Sequence, residues 1–218
     1  MIFYSHSDTD LVASSTPRTL SVWRNEADDA SLDNAANWCG GLPNGTDAVV
    51  CAPWVPLASA TDGFAFTNLT VSGGDLAFAD GTNTVAGALA ADGALAFTNL
   101  VINGSADCAV AISGFISGHG TVKSLTLAEG ARFIPDGAGY LTVSDALDGT
   151  MLIDMMGIDL SGATGRFPLF KTDTVEILPP ANAVEFVGGR APSGRLLLKV
   201  SAGFGYDLGS AGFFILLR

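Results

Sequence analysis

His119 stands between Gly118 and Gly120, and the chain has only one other histidine. An imidazole can move a proton near neutral pH. Cleaving a glycosidic bond would also need two carboxylates placed across that bond. Asp28-Asp29 is the only adjacent acid pair, and it lies far upstream. No Asn-x-Asp precedes His119 in the central region and no Arg-x-Lys follows it. The histidine is therefore expected to be a turn residue. Lyase chemistry would need acids beside a base, yet Lys123 and Arg132 are isolated. Asp62, Asp80, Asp92, Asp136 and Asp148 stand next to or near glycines, where short carboxylates close turns. They leave calcium as the one ion worth considering. No catalytic residue, metal site or cofactor is expected, and the expectation is a protein that is not an enzyme.

Three cysteines, Cys39, Cys51 and Cys108, leave at least one thiol outside any intramolecular bond. Cys39 and Cys51 flank a turn and could pair in an oxidising compartment. No Cys-x-x-Cys is present, so zinc is not expected. The aromatic set Trp23, Trp38 and Trp54 has two readings. It can plug the end of a stacked fold, or it can stack on sugars. The plug is the expectation and glycan binding is the alternative. Asn44-Gly45-Thr46 and Asn68-Leu69-Thr70 read as sequons, though turn and strand chemistry explains both.

These residues sit in a text made of short strands. Ala65-Phe66-Thr67-Asn68-Leu69 recurs unchanged as Ala96-Phe97-Thr98-Asn99-Leu100. Internal repetition marks stacked architectures. Strands are predicted at 64–71, 75–78, 95–102, 108–112, 121–127, 131–134, 140–143 and 150–154. Gly73-Gly74, Asp80-Gly81, Asp92-Gly93, Asn103-Gly104, Glu129-Gly130, Asp136-Gly137 and Asp148-Gly149 separate them as turns. Helical periodicity is absent. The small core residues Ala, Val and Leu suit a narrow stack. The fold class is all-β, a right-handed parallel β-solenoid with an aromatic N-terminal cap and an apolar C-terminal β segment. A β-sandwich or jelly roll is the alternative. Leu69, Leu100, Leu125 and Leu141 are unevenly spaced, which coils of unequal length would explain.

The predicted organisation is an arm and tryptophan cap over 1–60, coils over 61–154 and a C-terminal β segment over 155–218, all in one continuous domain. Pro168 in Phe167–Lys171 suits a sheet edge. The runs Arg195–Val200 and Gly212–Arg218 are nearly all apolar. A strand apolar on both faces is buried on both faces.

Composition narrows the function. The chain is 48% apolar and 15% charged, so it is not disordered. No apolar run approaches the roughly 18 residues of a membrane helix, and membrane insertion is not expected. Net charge is −12, which repels phosphate and argues against nucleic acid. Residues 1–109 hold 2 bases against 12 acids, whereas residues 110–218 hold 8 against 10. The expected reading of this asymmetry is solvated loop charges, and the alternative is steering of head-to-tail contacts between copies. The N-terminus lacks the basic and apolar regions of a secretory signal.

The stretch Ala36-Asn37-Trp38-Cys39-Gly40-Gly41-Leu42-Pro43-Asn44-Gly45-Thr46-Asp47-Ala48-Val49 resembles the opening of proteins carrying autotransporter-associated β-strand repeats. Ile116–Gly130 is similar to their repeat unit, with Gly-x-Gly-Thr, Leu-Thr-Leu and Gly-Ala. The resemblance spans about residues 20–150. It implies a right-handed β-solenoid used as a surface scaffold, and it brings no catalytic residues. The expected role is a structural or assembly subunit exposed on a cell surface, an extracellular filament or a virion. Its expected partners are copies of itself, joined through Met1, Ile2, Phe3 and Tyr4 and through Phe213, Phe214, Ile215, Leu216 and Leu217.

Overall fold

A computed structural model describes residues 3–7, 10–14, 20–27, 29, 31–51, 63–156, 166–177, 184–187, 195–200 and 204–209. Strands β1 (Phe3–Ser7) and β2 (Asp10–Ser14) pair antiparallel in a sheet of their own. The other sixteen strands form one sheet that winds about the core. They are β3 (Leu20–Trp23), β4 (Trp38–Cys39), β5 (Asn44–Cys51), β6 (Ala65–Ser72), β7 (Leu76–Val85) and β8 (Ala88–Ala91). Next come β9 (Leu95–Ile102), β10 (Ser105–Gly118), β11 (Gly120–Leu127), β12 (Arg132–Ile134), β13 (Leu141–Asp148) and β14 (Met151–Asp154). The series ends with β15 (Arg166–Thr172), β16 (Val184–Val187), β17 (Arg195–Val200) and β18 (Phe204–Gly209).

The result is a parallel β-solenoid of about five turns. Each turn has three faces, which the register defines. On face A, Asn83, Leu100, Ile116, Phe133 and Ile153 stand one above another. On face B the column is Ala48, Leu69, Leu89, Ala106, Val122 and Val143. On face C it is Phe78, Phe97, Ile112 and Leu127. All of these but Asn83 are buried hydrophobics, so each column is a ladder of the core. Successive face A positions lie 17, 16, 17 and 20 residues apart, so the coils are unequal. The strand period of two selects which residues enter the core.

The aromatic ladder shows how the stack is fitted together. Phe78 and Phe97 stack at 4.8 Å with their planes 2° apart, which is the spacing of neighbouring strands. Phe66 meets Phe78 edge-on at 6.0 Å, Phe64 meets Phe66 at 5.8 Å, and Trp38 meets Phe64 at 6.0 Å. The core thus runs into the cap without a break.

The uneven leucines also resolve. Leu69 and Leu141 lie on face B, Leu100 on face A and Leu125 on face C. Their spacing mixes different faces, in addition to coils of different length. Asp80-Gly81 is not a separator. It lies inside β7, at a corner the strand passes through. The strand Ala88–Ala91 was not predicted.

Candidate functional site

The two ends of the stack and its corners are the places where chemistry or contact could arise. At the N-terminal end, β4 runs antiparallel to β3 while β5 runs parallel to it. The loop before β4 folds back over the first coil. Trp23 is 2% exposed and donates Nε1–H to the Ser31 carbonyl at 3.1 Å. Trp38 is 5% exposed and donates to the Leu32 carbonyl at 2.6 Å. Neither ring offers an open face for a sugar, and both fill the cap. Trp54 lies outside the described residues.

Asn37, fully buried, organises that cap. Its Nδ2 donates to Asp29 Oδ1 at 2.5 Å and to the Ser31 carbonyl at 2.8 Å, and its Oδ1 accepts from Ala27 N–H at 2.7 Å. Asp29 also accepts from Asn34 Nδ2 at 2.6 Å and from Ser31 N–H at 3.0 Å. The Asn34 hydrogen bond, then those of Ser31 and Asn37, hold its carboxyl below the usual carboxylate range. The one Asp-Asp pair in the sequence therefore contributes a structural hub through Asp29.

Of the corner acids, Asp92, Asp136 and Asp148 accept from backbone amides, and Asp62 lies outside the described residues. Asp92 accepts from Gly73 N–H at 2.9 Å and Gly74 N–H at 3.2 Å, both in the coil below, and these bonds lower its pKa. Asp75, in that lower coil, accepts from Ala94 N–H at 2.7 Å. The two acids clasp adjacent coils in opposite directions. Among the described residues no group of three His, Cys, Asp or Glu side chains is arranged to hold an ion.

His119 is the corner residue between β10 and β11, and its side chain pairs with an acid of the next coil. Its Nδ1 lies 2.7 Å from Asp136 Oδ2, and both side chains are partly exposed. Burial raises the Asp136 pKa, but hydrogen bonds from His119 and the Ala138 N–H, with the charge of His119, outweigh it and the net shift is downward. In sequence the two residues looked like unrelated turn positions. They lie 17 residues apart, the length of one coil, and that period is the signal that brings them together. Arg132 and Asp154 form a second inter-coil pair at 3.0 Å, with Asp154 nearly buried.

The cysteines are free. Cys39 pairs with Val22 on β3, and Val22 pairs with Val49 on β5, so strand β3 separates Cys39 from the strand of Cys51. Two strand spacings of about 4.8 Å exceed the reach of a disulfide. Cys108 is buried, and desolvation is the main cause that pushes its thiol up to about 11.

An open groove of about 410 Å³ runs along face C, over the outward Ala77, Ala96, Ala111 and Thr126. At the C-terminal end β15 continues face B from β13, then β18 pairs antiparallel with β15, and β17 pairs antiparallel with β18. Among the described strands Pro168 stands where β15 pairs with β18 alone, beside a register shift, which suits a residue without an N–H. Of the residues expected at contacts between copies, Phe3 and Tyr4 fall in β1. Met1, Ile2 and Phe213–Leu217 lie outside the described residues. Among the described residues no helix is long and apolar enough to cross a membrane.

No family model matches the chain, and no curated protein or solved structure matches it.

Proposed function

We propose that this chain is a non-enzymatic structural subunit that assembles with copies of itself through its terminal strands, on a cell surface, in an extracellular filament or on a virion. One observation carries the reading. The β1–β2 hairpin pairs with none of the sixteen described strands of the stack, and the described stack finishes in β17, which pairs only with β18. A two-stranded hairpin alone is marginal in water. A strand with one unpaired edge is a template for another strand. A chain with such a hairpin at one end and, among the described strands, such an edge at the other is suited to head-to-tail strand addition.

Charge supports the same polarity. The hairpin region 3–14 carries Asp8 and Asp10 and no lysine or arginine, whereas β17 carries Arg195 and Lys199. Opposite charges steer the two ends together and set the register. The resemblance of residues 36–49 to surface-scaffold proteins agrees with this role. Trp23 and Trp38 are turned inward, which favours a scaffold over a glycan-binding module.

The test is light scattering with electron-microscope imaging of three chains: the full sequence, a deletion of residues 1–14 and a deletion of residues 213–218. The expected result is concentration-dependent assembly of the full chain that is lost in one or both deletions. A full chain that stays monomeric, or deletions that assemble as it does, would overturn the proposal.

A further inference from the structure

The corner from face A to face B takes two residues in the first coil, Thr67 and Asn68, and one in the fourth, His119. In the fifth coil it takes six, 135–140, between β12 and β13. This longer loop reaches over His119. Three features hold it there. Asp136 Oδ2 meets His119 Nδ1 at 2.7 Å, while Asp136 Oδ1 accepts from Ala138 N–H at 2.9 Å and so closes the loop on itself. Gly139 packs on His119, where an added Cβ would lie 3.1 Å from the histidine Cβ. Gly137 packs on Phe167 of β15, where an added Cβ would lie 2.6 Å from the ring.

The loop is therefore sandwiched between the fourth coil and the first strand of the C-terminal segment. That strand joins the stack through a short ladder, Leu141–Val143 against Phe170–Thr172. The fourth-coil corner is shaped to present the histidine. Gly118 and Gly120 flank it at φ 97° and 142°, and a Cβ on either would strike a carbonyl of the coil below.

We propose that His119 and Asp136 form a pH-sensitive latch that fastens the 135–140 loop, and through it β15, to the fourth coil. Histidine side chains change charge between about pH 5 and 8. In the neutral ring with its proton on Nδ1, that N–H donates to the ionised carboxylate. When the ring is charged, both partners are ionised and the same contact becomes an ion pair, stronger by the attraction of the two charges. The latch tightens as pH falls through the histidine range. It releases only in strong acid, where Asp136 itself takes a proton. The other titratable groups that the contacts bring to this corner are Tyr140, from the loop, and Lys171 of β15, whose Nζ lies 5.6 Å from the centre of the Tyr140 ring.

Amide hydrogen exchange of the full chain at pH 5 and pH 8, corrected for the intrinsic rate, tests the latch. Protection of 135–140 and 166–172 is expected to be about two- to fivefold greater at pH 5, as suits a partly exposed ion pair. His119→Gln keeps a donor without a titration and should abolish the pH difference, and Asp136→Asn should do the same. In the unmodified chain, the Gly137 and Ala138 amide resonances should shift with the midpoint of the His119 ring. Equal protection at the two pH values, a pH difference that survives in His119→Gln, or amides that ignore the ring titration would each overturn it. None of these readouts depends on assembly between copies.

Discussion

Asn68 and Asn99 each bridge the coil below to the coil above, at two different corners of the stack. Asn68 turns the chain from face A to face B. Its Nδ2 donates to Asp47 Oδ1 in the coil below at 2.7 Å, and its Oδ1 accepts from Ala88 N–H in the coil above at 2.7 Å. Asn99 turns the chain from face C to face A. Its Nδ2 donates to the Gly81 carbonyl below at 3.1 Å, and its Oδ1 accepts from Phe115 N–H above at 3.2 Å. The threonine before each also donates downward, Thr67 to Gly45 and Thr98 to Ala79. A glycine sits over each asparagine, Gly87 over Asn68 and Gly114 over Asn99. The repeated pentapeptide is thus a corner unit: an inward Phe, two bridging polar residues and an inward Leu.

Asn68→Ala and Asn99→Ala should destabilise the fold to a similar extent, about 1–3 kcal/mol each, because each leaves unpaired groups on two neighbouring coils. Asn68→Asp should be no better, since it faces Asp47 with a second carboxylate. Urea unfolding measures both. A large loss at one corner and none at the other would refute the equivalence.

Gly87→Ala and Gly114→Ala should each lower stability by more than about 1 kcal/mol, the scale of overpacking. The new Cβ would lie 2.5 Å or less from the asparagine Oδ1 and under 3 Å from a backbone carbonyl. Gly41→Ala lacks that obstruction and acts only through its positive φ of 86°. Thermal melts of the three variants separate crowding from strain.

Trp38→Ala should cost about 3–5 kcal/mol, because it opens a cavity between the cap and Phe64. Trp38→Phe should keep part of the packing while losing the bond to the Leu32 carbonyl. The variants should unfold at clearly different urea concentrations, with phenylalanine intermediate.

Acid should destabilise the protein through Asp29, Asp92 and Asp136, whose folded pKa values are all lowered. A lowered carboxyl contributes stability above its unfolded value of about 3.9 and loses it as pH falls through the folded value. Melting temperature should therefore vary little between about pH 7 and 5 on their account and drop below about pH 4. Asp92→Asn should flatten part of that drop, and an unchanged slope would argue against its role.

A thiol reagent at pH 8 should modify Cys39 and Cys51 rapidly in the native protein and Cys108 only on unfolding. The first two are exposed, and burial holds the third as a thiol with a pKa of about 11. Three fast reactions, or one, would contradict this arrangement.

Much of the fold was legible in the chain. The predicted strands 64–71, 95–102 and 121–127 nearly coincide with β6, β9 and β11, because each alternates apolar and polar residues between glycine turns. Strand β8 was missed since Ala88-Leu89-Ala90-Ala91 carries little β propensity and depends on its neighbours in the stack. Long strands that pass through corners, such as β7 and β10, read as shorter pieces with turns between them. Pairs between coils were the least legible. His119 with Asp136, and Asp75 with Ala94, are distant in sequence and meet only once the coil length is known.

The corner unit has a consequence for how such a chain can change. It works wherever a strand must bend onto the next face, so its natural step is a third of a revolution and not a whole rung. Gaining one copy, with the strand that follows it, would leave the ladders of the core continuous. It would also rotate everything downstream by one face about the axis, carrying the His119 corner and strand β17 to a new bearing. The direction in which this molecule presents its far end is therefore set by how many corners the chain has turned.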